Sequence, residues 1–230
     1  MIDLHTHILP LVDDGSESVK ASLSVLKKYQ KKGVKAVVLT PHYKGKYKTH
    51  GKELLNLFLE FCKTVRNNGI DIKLYLGQEI HNYTGIINGL KQEKLLSINS
   101  SKYVLLEPEH SRKHDLTESA YSLIRAGYIP IIAHVERYAY LTLDKVIELK
   151  ELGALIQVNA GSIVAINRRH RKKRAKTFIK NGLVDFIASD AHVNRKNYFF
   201  RAYRRIKLRF GKTFANELFY LNASKILNIT

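Results

Sequence analysis

Gly33-Val-Lys-Ala-Val-Val-Leu-Thr-Pro-His42 is the stretch whose reading decides the fold. Upstream of it, Val19, Leu23 and Leu26 recur at helical spacing, with Ser16 as the expected cap and Gly33 as the stop. From Val34 to Thr40 the pattern changes to an apolar, β-branched run of strand length, and a histidine follows it. Helix, strand and potential ligand form a unit that recurs along the chain. Further strand-sized runs are Met1–Leu4, Ile72–Gly77, Tyr103–Leu106, Ile129–Ala133, Ala154–Val158 and Val184–Ala188.

Helical spacing separates these runs. Leu54, Leu57, Phe58, Phe61 and Val65 mark one helix, and Leu116–Ala126, Leu143–Leu152 and Lys172–Asn181 mark others. One or two more helices are expected after Gly211. Strands that alternate with helices pair in parallel, because each parallel neighbour needs a crossover connection. Seven such units in 230 residues predict an α/β fold, a distorted (β/α)7 TIM-like barrel. Periodicity alone accommodates an open doubly wound sheet as well. The length suits a single domain over residues 1–230, and no linker or repeat interrupts it.

Composition narrows the functional classes. The lone Cys62 rules out an internal disulfide and a Cys-rich metal site. The apolar runs are too short to span a bilayer and no early segment has the pattern of a secretion signal, so the cytoplasm is the expected compartment. The net charge of +19 is concentrated: residues 163–212 hold sixteen Lys/Arg against two acids. Such a stretch suits phosphorylated, nucleic-acid or anionic-membrane partners, or is a solvated face.

The residues that end the strands carry the chemistry. His5 and His7 follow the first run, His42 the second, Glu79 the third, Glu107 the fourth, His134 the fifth, and Asp190 with His192 the seventh. In a (β/α) barrel those ends converge on one face. A lone His-x-His is usually an accident of packing, but converging charges need counter-ions or metals to offset their desolvation. Five imidazoles and three carboxylates without a thiolate suit Mn, Fe, Zn or Mg. There are more ligands than one ion needs, which predicts a multinuclear centre with a carboxylate such as Glu79 as bridge.

At the level of motifs, Met1-Ile-Asp-Leu-His-Thr-His with Asp13-Asp14-Gly15, then Thr40-Pro41-His42 and Gly77-Gln78-Glu79-Ile80, resemble the polymerase-and-histidinol-phosphatase (PHP) superfamily. Ala133-His134-Val135-Glu136-Arg137-Tyr138 and Ala188-Ser189-Asp190-Ala191-His192 are similar to the bacterial tyrosine-protein phosphatases of capsule and exopolysaccharide operons, the CpsB/YwqE type. The resemblance implies the PHP barrel, two or three divalent ions per chain with manganese foremost, and phosphotyrosine on protein as substrate. It implies as partner a membrane-associated bacterial tyrosine kinase with a Tyr-rich tail; an oligomer is compatible with it. The implied metal ligands are His5, His7, His42, Glu79, Glu107, His134, Asp190 and His192, with Asp14 as ligand or supporting group. Arg137 matches the phosphate-binding arginine, and Arg137, Asp190 and His192 form the implied catalytic set.

Several alternatives stay open at the level of sequence. Glu109 is a second carboxylate near Glu107, and Arg137 has Glu136 beside it as an ion-pair partner. The basic run Arg168–Lys176 either recruits an acidic, multiply phosphorylated tail or is a solvated helix face. His50, His81, His110, His114 and His170 read as surface or loop residues. Attack on phosphorus by a metal-activated hydroxide is the expected mechanism. Cys62 starts no Cys-x5-Arg loop, since Asn68 stands six places on. The rival readings are another PHP phosphoesterase, acting on histidinol phosphate or a nucleic-acid phosphodiester, and a basic module that binds nucleic acid or membranes. Nucleic acid is the less expected partner, because few aromatic residues interleave the basic run.

Overall fold

In the computed structural model, which describes residues 1–110, 114–164 and 169–229, all seven expected strands form. Two of them are broken in the middle, so nine segments result: β1 (Ile2–Thr6), β2 (Ala36–Leu39), β3 (His42–Tyr43), β4 (Lys73–Leu76), β5 (Glu79–His81), β6 (Tyr103–Glu107), β7 (Ile129–Ile132), β8 (Leu155–Asn159) and β9 (Phe186–Ala188). β3 continues β2 beyond Pro41, which has no N–H to give to the ladder. β5 continues β4 beyond Gly77, where an added Cβ would lie 3.2 Å from Ile98.

Among the described residues every pairing between the named strands is parallel. One sheet runs β1-β2-β4 and the other β3-β5-β6-β7-β8-β9. The two broken strands carry the chain from one sheet to the other. The ring closes where the end of β1 meets the residues after β9: Asp190 N donates to His5 O at 3.0 Å and His7 N to Ala191 O at 2.9 Å. The result is a distorted (β/α)7 barrel, and the open-sheet alternative falls away.

The helices are α1 (Val19–Lys31), α2 (Gly51–Asn67), α3 (Ile86–Lys91), α4 (Leu116–Arg125), α5 (Leu143–Glu151), α6 (Ala160–Val164), α7 (Arg169–Lys180), α8 (Phe199–Phe210), α9 (Lys212–Asn216) and α10 (Asn222–Leu227). The cap of α1 is Ser18, whose hydroxyl accepts from Ala21 N, and not Ser16. Ser16 lies further out and bonds the Ser22 hydroxyl at 2.6 Å instead. α8 has no counterpart in the sequence reading. Its buried positions Phe199, Ala202 and Ile206 are sparse among basic residues. Arg168, the start of the expected basic run, lies outside the described residues.

Strand alternation sorts the core into two parts. Val37, Leu39, Leu106 and Ile132 face outward and pack with Leu26, Leu54 and Leu123 of the helices. Ile2, Leu4, Val38, Leu105, Ile131, Ala133 and Phe186 form a second cluster with Ala223, Ile226 and Leu227 of α10, filling one end of the barrel. Toward the strands' C-terminal ends the same inward parity continues into polar residues: Val38 to His42, Leu105 to Glu107, Phe186 to Asp190. β7 breaks step at its end, where the left-handed His134 directly follows the inward-packed Ala133, and β1 does so within the strand, with its register shifting between Asp3 and Thr6. That irregularity turns His5 and His7 into the interior although Ile2 and Leu4 already face it.

Candidate metal centre

Strand pairing places ligands beside one another directly. His42 of β3 stands opposite Glu79 of β5, and His81 of β5 opposite Glu107 of β6. Glu79 is the hub. Its Oε1 lies 2.7 Å from His134 Nε2 and 3.4 Å from His5 Nε2; its Oε2 lies 3.3 Å from His7 Nε2 and 2.7 Å from His42 Nδ1. Asp190 Oδ1 reaches His7 Nε2 at 3.4 Å and His5 Nε2 at 3.9 Å. Asp14 Oδ1 lies 3.6 Å from His42 Nε2 and 3.5 Å from His192 Nε2.

Five overlapping groups of three could each hold an ion: His7, His42 and His192; His5, His7 and Asp190; His5, Glu79 and His134; Asp13, Asp14 and His42; His42, Glu79 and Glu107. All nine residues expected as ligands fall into these groups, and Asp13 joins them. Glu109 does not: it bonds His114 Nδ1 at 3.0 Å. Arg137 donates to Asp190 Oδ2 at 3.3 Å, whereas Glu136 accepts from the Ser162 hydroxyl at 2.6 Å and from Asn159 N. The Glu136–Arg137 pairing is thus not the one the fold makes.

The donor set fits divalent cations. His42 Nδ1 and Glu79 Oε2 lie 2.7 Å apart, yet the contact lacks hydrogen-bond alignment and both buried atoms have no partner. His134 Nδ1 and Arg137 Nε are buried and unpartnered as well. His5 Nε2 and His7 Nε2 face each other at 3.0 Å. Buried polar atoms in such numbers are costly unless something else binds them.

Polar groups around the ligands fix their orientation. His7 Nδ1–H donates to Asp13 Oδ2 at 2.7 Å, and Asp13 also accepts from the His42 and Gly15 amides. His5 Nδ1–H donates to Gln157 Oε1 at 3.2 Å, and the same oxygen accepts from His134 N at 2.8 Å. Both contacts leave Nε2 as the free lone pair, the usual arrangement around a ligated imidazole. Asn159 Nδ2 donates to Asp190 Oδ2 at 2.7 Å. Gly15 packs so closely that an added Cβ would collide with the His7 carbonyl and its Cβ. His134 (φ 34°) and Asp190 (φ 53°) sit in the left-handed region, strain that the surrounding bonds hold in place.

Electrostatics reinforce the picture. Burial alone would raise the Glu79 carboxyl, but the imidazoles of His5 and His42 and a bond from His134 hold it well below the usual range. Burial would lower His7, yet the carboxylates of Asp13, Asp190 and Glu79 beside it hold it well above the ordinary value. His192 is pushed down to about 4 by burial and by the neighbouring His7. The carboxylates therefore demand positive charge in the pocket.

Six contributors were not singled out from sequence: Asp13, Lys44, His81, Tyr138, Gln157 and Asn159. Lys44 Nζ bonds both Glu107 oxygens at 3.1 and 3.0 Å, and His81 Nδ1 lies 3.2 Å from Glu107 Oε2, so His81 belongs to the site and not to the outer surface. The Gln157-Val158-Asn159 alternation at the end of β8 is the signal that would have found the two amides.

The family model for capsular polysaccharide synthesis, CpsB/CapC, matches residues 1–228. The chain is 37% identical over 199 residues to the putative tyrosine-protein phosphatase CapC of Staphylococcus aureus, covering 84% of this chain and 77% of that protein. It is 32% identical over 225 residues to tyrosine-protein phosphatase YwqE of Bacillus subtilis, covering 96% and 88%. Among solved structures, those of YwqE from B. subtilis and CpsB from Streptococcus pneumoniae, described as unique metal-dependent tyrosine phosphatases, include a chain that superposes with a TM-score of 0.92 at 30% identity, over 100% of this chain and 96% of that one.

Proposed function

The chain belongs to the CpsB/CapC family, and from that premise we propose that it is a metal-dependent protein-tyrosine phosphatase. The observation that carries the reading is the convergence of nine candidate ligands, Glu79 among them as the hub, beside a cationic cleft. His5, His7, Asp14, His42, Glu79, Glu107, His134, Asp190 and His192 would hold two or three divalent ions, manganese foremost. Such ions supply Lewis acidity, which makes water more acidic and draws charge from the phosphoryl group.

The chain's own side chains do the rest. A cleft of about 420 Å³ opens against Asp190 and is lined by Arg137, Asn159, Arg171, Arg195 and Tyr198 among others. Arg137 presents an unpartnered Nε into a buried setting while its Nη1 is steadied by Asp190. That fork suits two phosphoryl oxygens at once. Asn159 and Arg137 together aim Asp190, and Asp190 with Arg137 and His192 completes the catalytic set. The substrate we infer is a phosphotyrosine protein, the Tyr-rich tail of a membrane-associated kinase of capsule synthesis, met in the cytoplasm by a single-domain enzyme. Among the described residues no helix is long and apolar enough to cross a membrane.

Phosphate release from a phosphotyrosine peptide, measured with and without added manganese, tests the proposal. Metal-dependent release is the expected result. Hydrolysis of histidinol phosphate or an oligonucleotide in preference to the peptide would overturn the substrate while leaving the metal centre intact.

A further inference from the structure

Two helices beside the mouth carry charge of one sign that the proposed chemistry does not use. α7 and α8 contain no Asp or Glu. Lys172 and Lys176 of α7 and Arg205 and Arg209 of α8 line a cleft of about 140 Å³ together with the apolar side chains of Ile179, Ile206 and Phe210. None of these four cations forms an ion pair among the described residues. On α8, Leu208 is 88% exposed between Lys207 and Arg209.

We propose that this face docks the protein on an anionic phospholipid surface, with lipid phosphates in the cationic rim and Leu208 entering the apolar boundary. The apolar face of α8 is taken up by the core, so attraction to the surface comes from the basic face, with Leu208 as the apolar group that can enter the headgroup–acyl boundary. Close cations repel one another, and a sheet of anionic headgroups removes that repulsion along the whole face. The exposed apolar group distinguishes the partners. A nucleic acid calls for exposed aromatic faces on which bases stack; Leu208 offers none, and the aromatic ring in the cleft, Phe210, already carries the Arg209 guanidinium over its face at 5.7 Å. An acidic peptide would pair with the cations yet leave Leu208 in water. The docking face adjoins the mouth, since Arg171 of α7 lines the candidate catalytic cleft and Arg174 donates to the Tyr138 and Leu141 carbonyls. A membrane-bound protein would therefore hold its candidate site close to the bilayer, whatever phosphoester it cleaves.

Flotation of the whole protein with phosphatidylcholine vesicles, with and without phosphatidylglycerol, tests this. Flotation with the anionic vesicles alone is expected. Combined Lys172→Gln, Lys176→Gln, Arg205→Gln and Arg209→Gln should weaken it by about tenfold or more. Leu208→Ser, which leaves the charge unchanged, should weaken it by about threefold or more. Both variants should keep the parent's thermal melt and its metal content. Equal flotation with neutral vesicles, or no loss in either variant, would overturn the proposal. So would an oligonucleotide or poly-glutamate peptide that strips the protein from anionic vesicles and binds the Leu208→Ser variant as tightly as the parent.

Discussion

The two ends of the barrel are built from the same strands and do opposite work. At one end Ile2, Leu4, Val38, Ile131 and Phe186 pack against α10 in a cluster made only of apolar side chains. At the other, two to four residues further along the same strands, His42, Glu79, Glu107 and Asp190 crowd together with atoms that lack hydrogen-bond partners. Strand alternation keeps the inward face constant, so the chain changes from packing to ligation without changing topology. The apolar end holds the strands in place; the polar end is free to be electrostatically unfavourable until cations arrive.

The separation is open to direct attack. Asp190→Ala removes a ligand and the anchor of Arg137 together; kcat/KM on a phosphotyrosine peptide should fall by at least about a thousandfold, with fewer ions per chain by elemental analysis. Retained metal and activity would show that the polar end is not the functional one. Arg137→Ala should keep the full metal content and lower kcat by about a hundred- to a thousandfold, which separates phosphate binding from ion binding. Gln157→Ala frees both His5 and His134 from their orienting bonds, and should weaken metal affinity by about ten- to a hundredfold in a chelator competition. Unchanged affinity there would mean that β8 supports the barrel only. Ile131→Val at the apolar end should cost about 1 kcal/mol in denaturant unfolding and leave kcat per folded molecule unaltered. A drop in kcat from that substitution would show that the two ends are coupled.

How much of this was legible follows from the kind of signal. β-branched runs repeat, so all seven strands could be read, and the residues that end them were visible as candidate ligands. The ladder extends further than the apolar run because backbone pairing is indifferent to side-chain polarity. His5 and Glu107 therefore lie on strands rather than after them. Asp13 was hidden by its neighbour Asp14, since which of two adjacent acids turns inward depends on the loop. Lys44 and His81 act through Glu107, a relation set by strand register and by loop closure, not by spacing. α8 escaped because three buried positions among five Lys/Arg look like a charged tract rather than an amphipathic helix.

Closure of the ring has a consequence for the order of events in synthesis. Ser189 N donates to Asp3 Oδ1 across 186 positions, and His7 depends on the same seam through Ala191. Contacts so distant in sequence form late, because the chain must close a very long loop before they gain anything. The His5–His7 pair is synthesised more than 180 residues before Asp190 and His192 and can meet them only after those have been made. A chain cut before Asp190 would carry the two histidines without the carboxylate that faces them in the candidate centre.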